Sequence, residues 1–192
     1  AYTGSAWQKI ERLTDDPRIE RNVSVAAAPD GTVWLAWEAN TLKTAHNGHL
    51  LVNRYEEQNV VVAERSGEGL RMPAGLFGAK GPQAGEKICK RPVIAVDAAG
   101  RLHLSLRRTA TIRHGKEVRV GPFWEAEVWT CAGDSWSGPI PHGYDWGWWR
   151  PVPLAMHDED TLFAALQEGI GRSDGLAQKY ASRVLLKALA GA

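Results

Sequence analysis

The chain has 192 residues, the length of about one domain, and its 23 basic and 22 acidic residues leave a net charge of +1, without the basic excess that a nucleic-acid partner requires. No run of about 18 apolar residues exists to span a membrane, and Ala1-Tyr2-Thr3-Gly4 shows no targeting signal and reads as cut from something longer. Nine Trp, twenty Gly and ten Pro fit a chain of short strands and many turns, while two cysteines, Cys89 and Cys131, allow one disulfide but not a disulfide framework.

Gly4-x-x-Trp7 opens the chain and predicts a turn followed by a strand over 5–14. From Asn22 to Trp37 the pattern is strand, tight turn, strand. Pro29-Asp30-Gly31 supplies the turn, and Val33, Leu35 and Trp37 alternate with Trp34 and Ala36. Val60–Ala63 predicts a third strand, and Gly67-x-x-Leu70 repeats the opening landmark. Arg91 to Leu106 then aligns without gaps on Asn22 to Trp37, with Ala98-Ala99-Gly100 at the turn. Glu127–Thr130 is the next third strand, and Gly133-x-x-Trp136 the next landmark. Arg150 to Leu166 is a third copy with one inserted residue, turning at Glu159-Asp160. Arg183–Leu189 completes it as a strand, although Leu176, Tyr180, Val184 and Ala188 also share one helical face.

A repeat of about 60–70 residues with four strands exceeds the usual solenoid period and matches a propeller blade. The expected fold is all-β: three four-stranded antiparallel blades of a β-propeller, with an outer strand at 5–14, blades at 22–78 and 91–141, and an incomplete blade at 150–192. The landmark Trp or Leu opens each fourth strand and plugs the gap between blades. Burial of about 150–250 Å² per Trp gives roughly 4–6 kcal/mol as an upper bound. Both ends fall in the same phase of the repeat. Two arrangements follow: a piece of a longer propeller, favoured because neither end reads as a true terminus, or two copies closing a six-bladed homodimer.

The long connections share one rim, where binding is expected. Trp146, Trp148 and Trp149 beside Arg150 could stack on a sugar or grip an anion, or fill the gap between blades. Arg21, Arg91 and Arg150 begin equivalent strands and could converge on a carboxylate or sulfate, or pair with neighbouring loops. Glu38 and Glu168 follow matching second strands and are the repeat-related candidates for a catalytic carboxylate pair. No cofactor and no metal site is expected. His46 and His49 lack a third ligand, and His157-Asp158-Glu159-Asp160 reads as a polar turn.

Arg91-Pro92-Val-Ile-Ala-Val-Asp97-x-x-Gly100, Val25 through Asp30-Gly31-Thr-Val-Trp34, and Trp136-Ser-Gly-Pro139 together resemble the sialidase-like and related propeller repeats of exported bacterial proteins. No segment satisfies the Asp box of sialidases; Asp30-Gly31-Thr32-Val33-Trp34 comes nearest with different spacing. A sialidase would also need an arginine triad, hinted at by Arg91 and Arg150, and a Tyr/Glu pair, hinted at by Tyr55 with Glu56 or Glu57. The resemblance implies an extracytoplasmic, non-catalytic module that binds a glycan, an anionic small ligand or a partner domain. The alternatives are a propeller-fold glycoside hydrolase or polysaccharide lyase, and an interaction scaffold.

Overall fold

The computed structural model describes residues 4–7, 9–44, 50–66, 69–78, 81–83, 89–114, 117–145, 151–156, 161–169 and 182–190. Among them there is no helix, and eleven strands build three antiparallel sheets. The first sheet runs β1 (Ile19–Ala27), β2 (Val33–Thr44), β3 (Leu50–Ser66), β4 (Gly69–Arg71) in spatial order. The second runs β5 (Cys89–Val96), β6 (Leu102–His114), β7 (Glu117–Ala132), β8 (Ser135–Asp145) in the same way. The third has β9 (Leu154–Met156), β10 (Thr161–Gly169) and β11 (Ser182–Ala190), with β10 in the middle. The sheets do not close on one another into a ring.

The first two hairpins are closed by one device. The Ala28 N–H donates to Thr32 O at 2.8 Å, and the Asp97 N–H to Arg101 O at 3.1 Å. Gly31 at φ +88° and Gly100 at φ +78° occupy the left-handed position that such loops need and that L side chains resist. The equivalent turn at Glu159-Asp160 lies outside the described residues.

Alternation sends each strand's apolar residues to two faces. Ala26, Trp34, Ala36, Val60 and Val62 of the first sheet meet Ile94, Leu102, Leu104, Leu106, Trp129 and Cys131 of the second, and Leu76 from the intervening connection plugs the same core. Trp136, which opens β8, packs against this cluster, so the landmark aromatic does sit between two sheets. A second core of Ala126, Val128, Val152, Leu162 and Ala164 joins the second sheet to the third. Both junctions pair the same repeat positions, with the later face of one sheet against the earlier face of the next.

Three details refine the expected boundaries. Residues 9–16 form no strand, so among the described residues the strand expected at 5–14 is reduced to a single bridge at Trp7; a strand needs continuous pairing of its N–H and C=O groups. The chain from Ser182 to Ala190 is strand, not helix, because each residue pairs with β10 from Thr161↔Ala190 to Gly169↔Ser182. Cys89 and Cys131 are buried thiols not joined by a disulfide; burial pushes the Cys131 thiol up to about 11.

Candidate functional site

The first strands of the first two sheets, β1 and β5, each carry a bulge near their start. Pairing runs Arg21↔Glu38 then Ser24↔Ala36 in the first sheet, and Lys90↔Arg107 then Val93↔Ser105 in the second. Asn22 and Arg91, one repeat apart, sit in these bulges with φ of 56° and 58°. Asn tolerates the left-handed region; Arg does so at a cost, and such outliers concentrate where the surroundings hold them for a purpose.

What holds Arg91 there is Glu38. It lies near the middle of β2, opposite Arg21, and is fully buried facing the second sheet. Its Oε1 accepts the Arg91 backbone N–H at 2.9 Å, the donor that the bulge frees from the ladder. Its Oε2 accepts Arg21 Nε–H at 2.8 Å and Asn40 Nδ2–H at 3.3 Å. The Arg91 guanidinium stands 4.0 Å from the carboxylate and donates to Asn22 Oδ1 at 2.9 Å. Burial pushes the Glu38 carboxyl up, but the Arg91 N–H, Arg21 and Asn22 outweigh it and hold the group below the usual carboxylate range. Glu38 is therefore an ionised carboxylate bridging two sheets.

A basic shell surrounds this bridge. Lys90 is buried with Nζ 3.7 Å above the Trp124 ring. Desolvation, partly countered by Glu38 and reinforced by Arg91, Arg21 and Arg107, brings its amine down to about 8. Arg108 is 3.3 Å from Glu127, which also accepts Trp129 Nε1–H at 3.0 Å. Gln83 clamps β3 by accepting the Val60 N–H at 2.8 Å and donating back to Val60 O.

Beside the bridge lies a groove of 240 Å³ lined by Asn22, Val23 and Ser24 of β1, Arg91, Pro92 and Val93 of β5, and Pro151 just before β9. Equivalent points of all three repeats thus meet at one place. The groove offers a cation, an amide and a hydroxyl beside apolar walls, a set able to hold a sugar or an anionic group.

Of the residues expected at a site, the structure brings Arg21, Arg91 and Glu38 together. The arginines converge on Glu38 itself, and Glu38 does not face solvent as one half of an open carboxylate pair must. The Glu168 backbone lies in β10 opposite Arg183, while its side chain, like Trp146, Trp148, Trp149 and Arg150, lies outside the described residues. So do His46, His49 and 157–160, and the Tyr55 and Glu56 side chains. Among the described residues no three His, Cys, Asp or Glu side chains gather as a metal site, and no helix is long and apolar enough to cross a membrane. Lys90, Asn40, Gln83, Arg108 and Glu127 were not singled out by sequence reasoning. The available signal was a polar residue interrupting apolar alternation, as Arg107-Arg108 does after Leu102–Leu106. Neither a protein-family model nor a curated protein matches the sequence.

Proposed function

We propose that this chain is a non-catalytic β-propeller module whose three sheets are consecutive blades and whose work is binding. Its ligand is a carbohydrate or an anionic small group, taken at the rim where the inner strands begin. The observation that carries this reading is the groove shared by Asn22, Arg91 and Pro151 at equivalent points of three successive sheets. A rigid scaffold presenting repeated positions to one opening is a common way to build a ligand site. The commitment of Glu38 to Arg21 and Arg91 argues against its serving as a general acid. By the resemblance of its repeats, the module belongs to an exported protein.

The test is calorimetric titration with neutral, carboxylated and sulfated glycans, with turnover followed on the same panel. Binding without turnover is expected, weakened in Trp148→Ala or Trp149→Ala with the fold retained. Turnover abolished by Glu168→Gln would establish a hydrolase or lyase instead. Unchanged affinity in both Trp variants would remove the aromatic cluster from the site.

A further inference from the structure

Among the described residues, no sheet lies against the earlier face of the first sheet. It carries Leu35, Trp37, Val61, Ala63 and Leu70, with Val25 paired to Leu35 and 59% exposed. Cavities of 180 and 460 Å³ lie along this face, bounded by Leu13, Thr14 and Asp15–Arg18. The repeat says what such a face takes. Val25, Leu35, Trp37 and Leu70 match Ile94, Leu104, Leu106 and Trp136, which in the second sheet are covered by the later face of the first. That covering face presents an alanine opposite an aromatic, Ala26↔Trp34, followed by Ala36.

The chain carries that pattern once more. In the third sheet Ala155 pairs with Phe163, followed by Ala165, and Ala155 and Ala188 are exposed. This later face of the third sheet has the small–aromatic–small order that fills the junction between the first two. Third and first sheets are thus two halves of one kind of junction, each without its other half in this chain's described contacts.

We infer that a second copy of this chain docks its third sheet on the first sheet's open face, head to tail, and that two such junctions related by a two-fold axis close a dimer of six sheets. This rests on the reading of the sheets as consecutive blades. A two-fold permits it because each copy offers both halves, and both surfaces are consumed, leaving no face free to extend a fibre. Residues 9–13, which follow the Gly-x-x-Trp landmark and form no strand here, then lie beside the partner's β11. There they supply the fourth strand that the third sheet lacks among the described residues. Trp7, 79% exposed in the single chain, is covered by this pairing.

Light scattering over a range of concentrations tests the inference. The expected mass is twice 21.0 kDa. Val25→Arg blocks the receiving face and Ala155→Arg the inserting face. Each alone should weaken dimerisation about a hundredfold or more, as an unpaired charge at an interface centre does. Mixed one to one, they should recover a heterodimer, since one junction remains intact. A wild-type monomer at every concentration overturns the inference. So does a dimer lost in Val25→Arg but untouched by Ala155→Arg, which would mean that first sheets dock on each other. Trp34→Ala, at the junction inside the chain, separates the underlying reading from this one. If it leaves unfolding unchanged, the stacking of consecutive sheets fails. If it destabilises a protein that is monomeric, only the second copy fails.

Discussion

Replacing Glu38 by Gln keeps the side chain's shape and removes its charge. Glu38 accepts from the Arg91 N–H, Arg21 and Asn40, at 2.9, 2.8 and 3.3 Å. A hydrogen bond to a charged group contributes about 1.5–3 kcal/mol against about 0.5–1.5 for a neutral one, so each contact weakens by about 1 kcal/mol. The amide also turns one donor toward groups that donate to the carboxylate. Arg21 is partly exposed, and water takes up part of what it loses. The net expectation is about 2–3 kcal/mol, just below the cost of leaving a buried charge fully unpaired. With a urea slope of about 1–3 kcal/mol per molar, the unfolding midpoint at pH 7 should fall by about 0.7–3 M.

The sign of the pH dependence follows from the direction of the shift. The folded-state pKa of Glu38 lies below its unfolded value of about 4.3. The stability from its ionised form is therefore full above about pH 4.3 and is lost as pH falls through the folded value. Wild type and Glu38→Gln should converge on acidification. A gap under about 0.5 kcal/mol at pH 7, or one that persists unchanged to pH 3, would refute the bridge.

Three further outcomes can be checked on the same protein. His103 is buried between Thr130 Oγ1 at 3.0 Å and Asp97 Oδ2 at 3.2 Å, and burial outweighs Asp97 in holding its pKa below 6.5. Wild-type stability should thus begin to fall as pH drops below about 6.5, and His103→Gln should flatten that slope in denaturation curves. After reductive ¹³C-methylation, one lysine signal should titrate near pH 8 and vanish in Lys90→Met; if every lysine titrates near 10.4, the buried amine over Trp124 is misassigned. Gly100→Ala should cost about 1 kcal/mol for its left-handed φ alone. Gly138→Ala should cost clearly more in thermal unfolding, because its Cβ would stand 3.1 Å from both the Trp129 ring and Val128 O; equal losses would contradict the close packing there.

The scaffold was legible because two signals with different physical origins agreed. Turn chemistry at Asp30-Gly31 and Ala99-Gly100 located the hairpins, and alternation through Val33–Trp37 and Leu102–Leu106 located the strands. The Gly-x-x-Trp landmark foretold the packing of Trp136 between sheets. It also predicted a strand after Trp7 that residues 9–16 do not form, since the landmark encodes a turn and an apolar residue but not the pairing of the residues that follow. At the candidate site, alignment put Arg21, Arg91 and Glu38 on the right strands and left their direction open. Whether basic side chains at strand starts reach for a ligand or for the protein is decided by the bulges. Nothing in the sequence marks a left-handed Arg91 whose freed N–H points across to the next sheet.

Those bulges also explain why one slot in the repeat can hold a buried charge of either sign. Glu38 in β2 and Arg107 in β6 occupy equivalent positions, and both are almost wholly buried on the later face of their sheets. In an unbroken apolar junction such a residue would be a liability of several kcal/mol. Apolar faces alone fix how much surface is covered but say little about sliding or rotation, because dispersion and hydrophobic contact have no direction. The Glu38 bridge does have direction: a backbone N–H from the second sheet and a guanidinium from the first must reach the same carboxylate. Displacing the second sheet by one residue along its strands, about 3.3 Å, would break the Arg91 contact and leave the carboxylate with donors from its own sheet alone. The apolar core then supplies the adhesion between sheets, and the ionic slot beside the bulge fixes their register. That division of labour places the strained backbone and the buried charges at the groove, because this is where the first strands of adjacent sheets must be aligned for equivalent residues to meet.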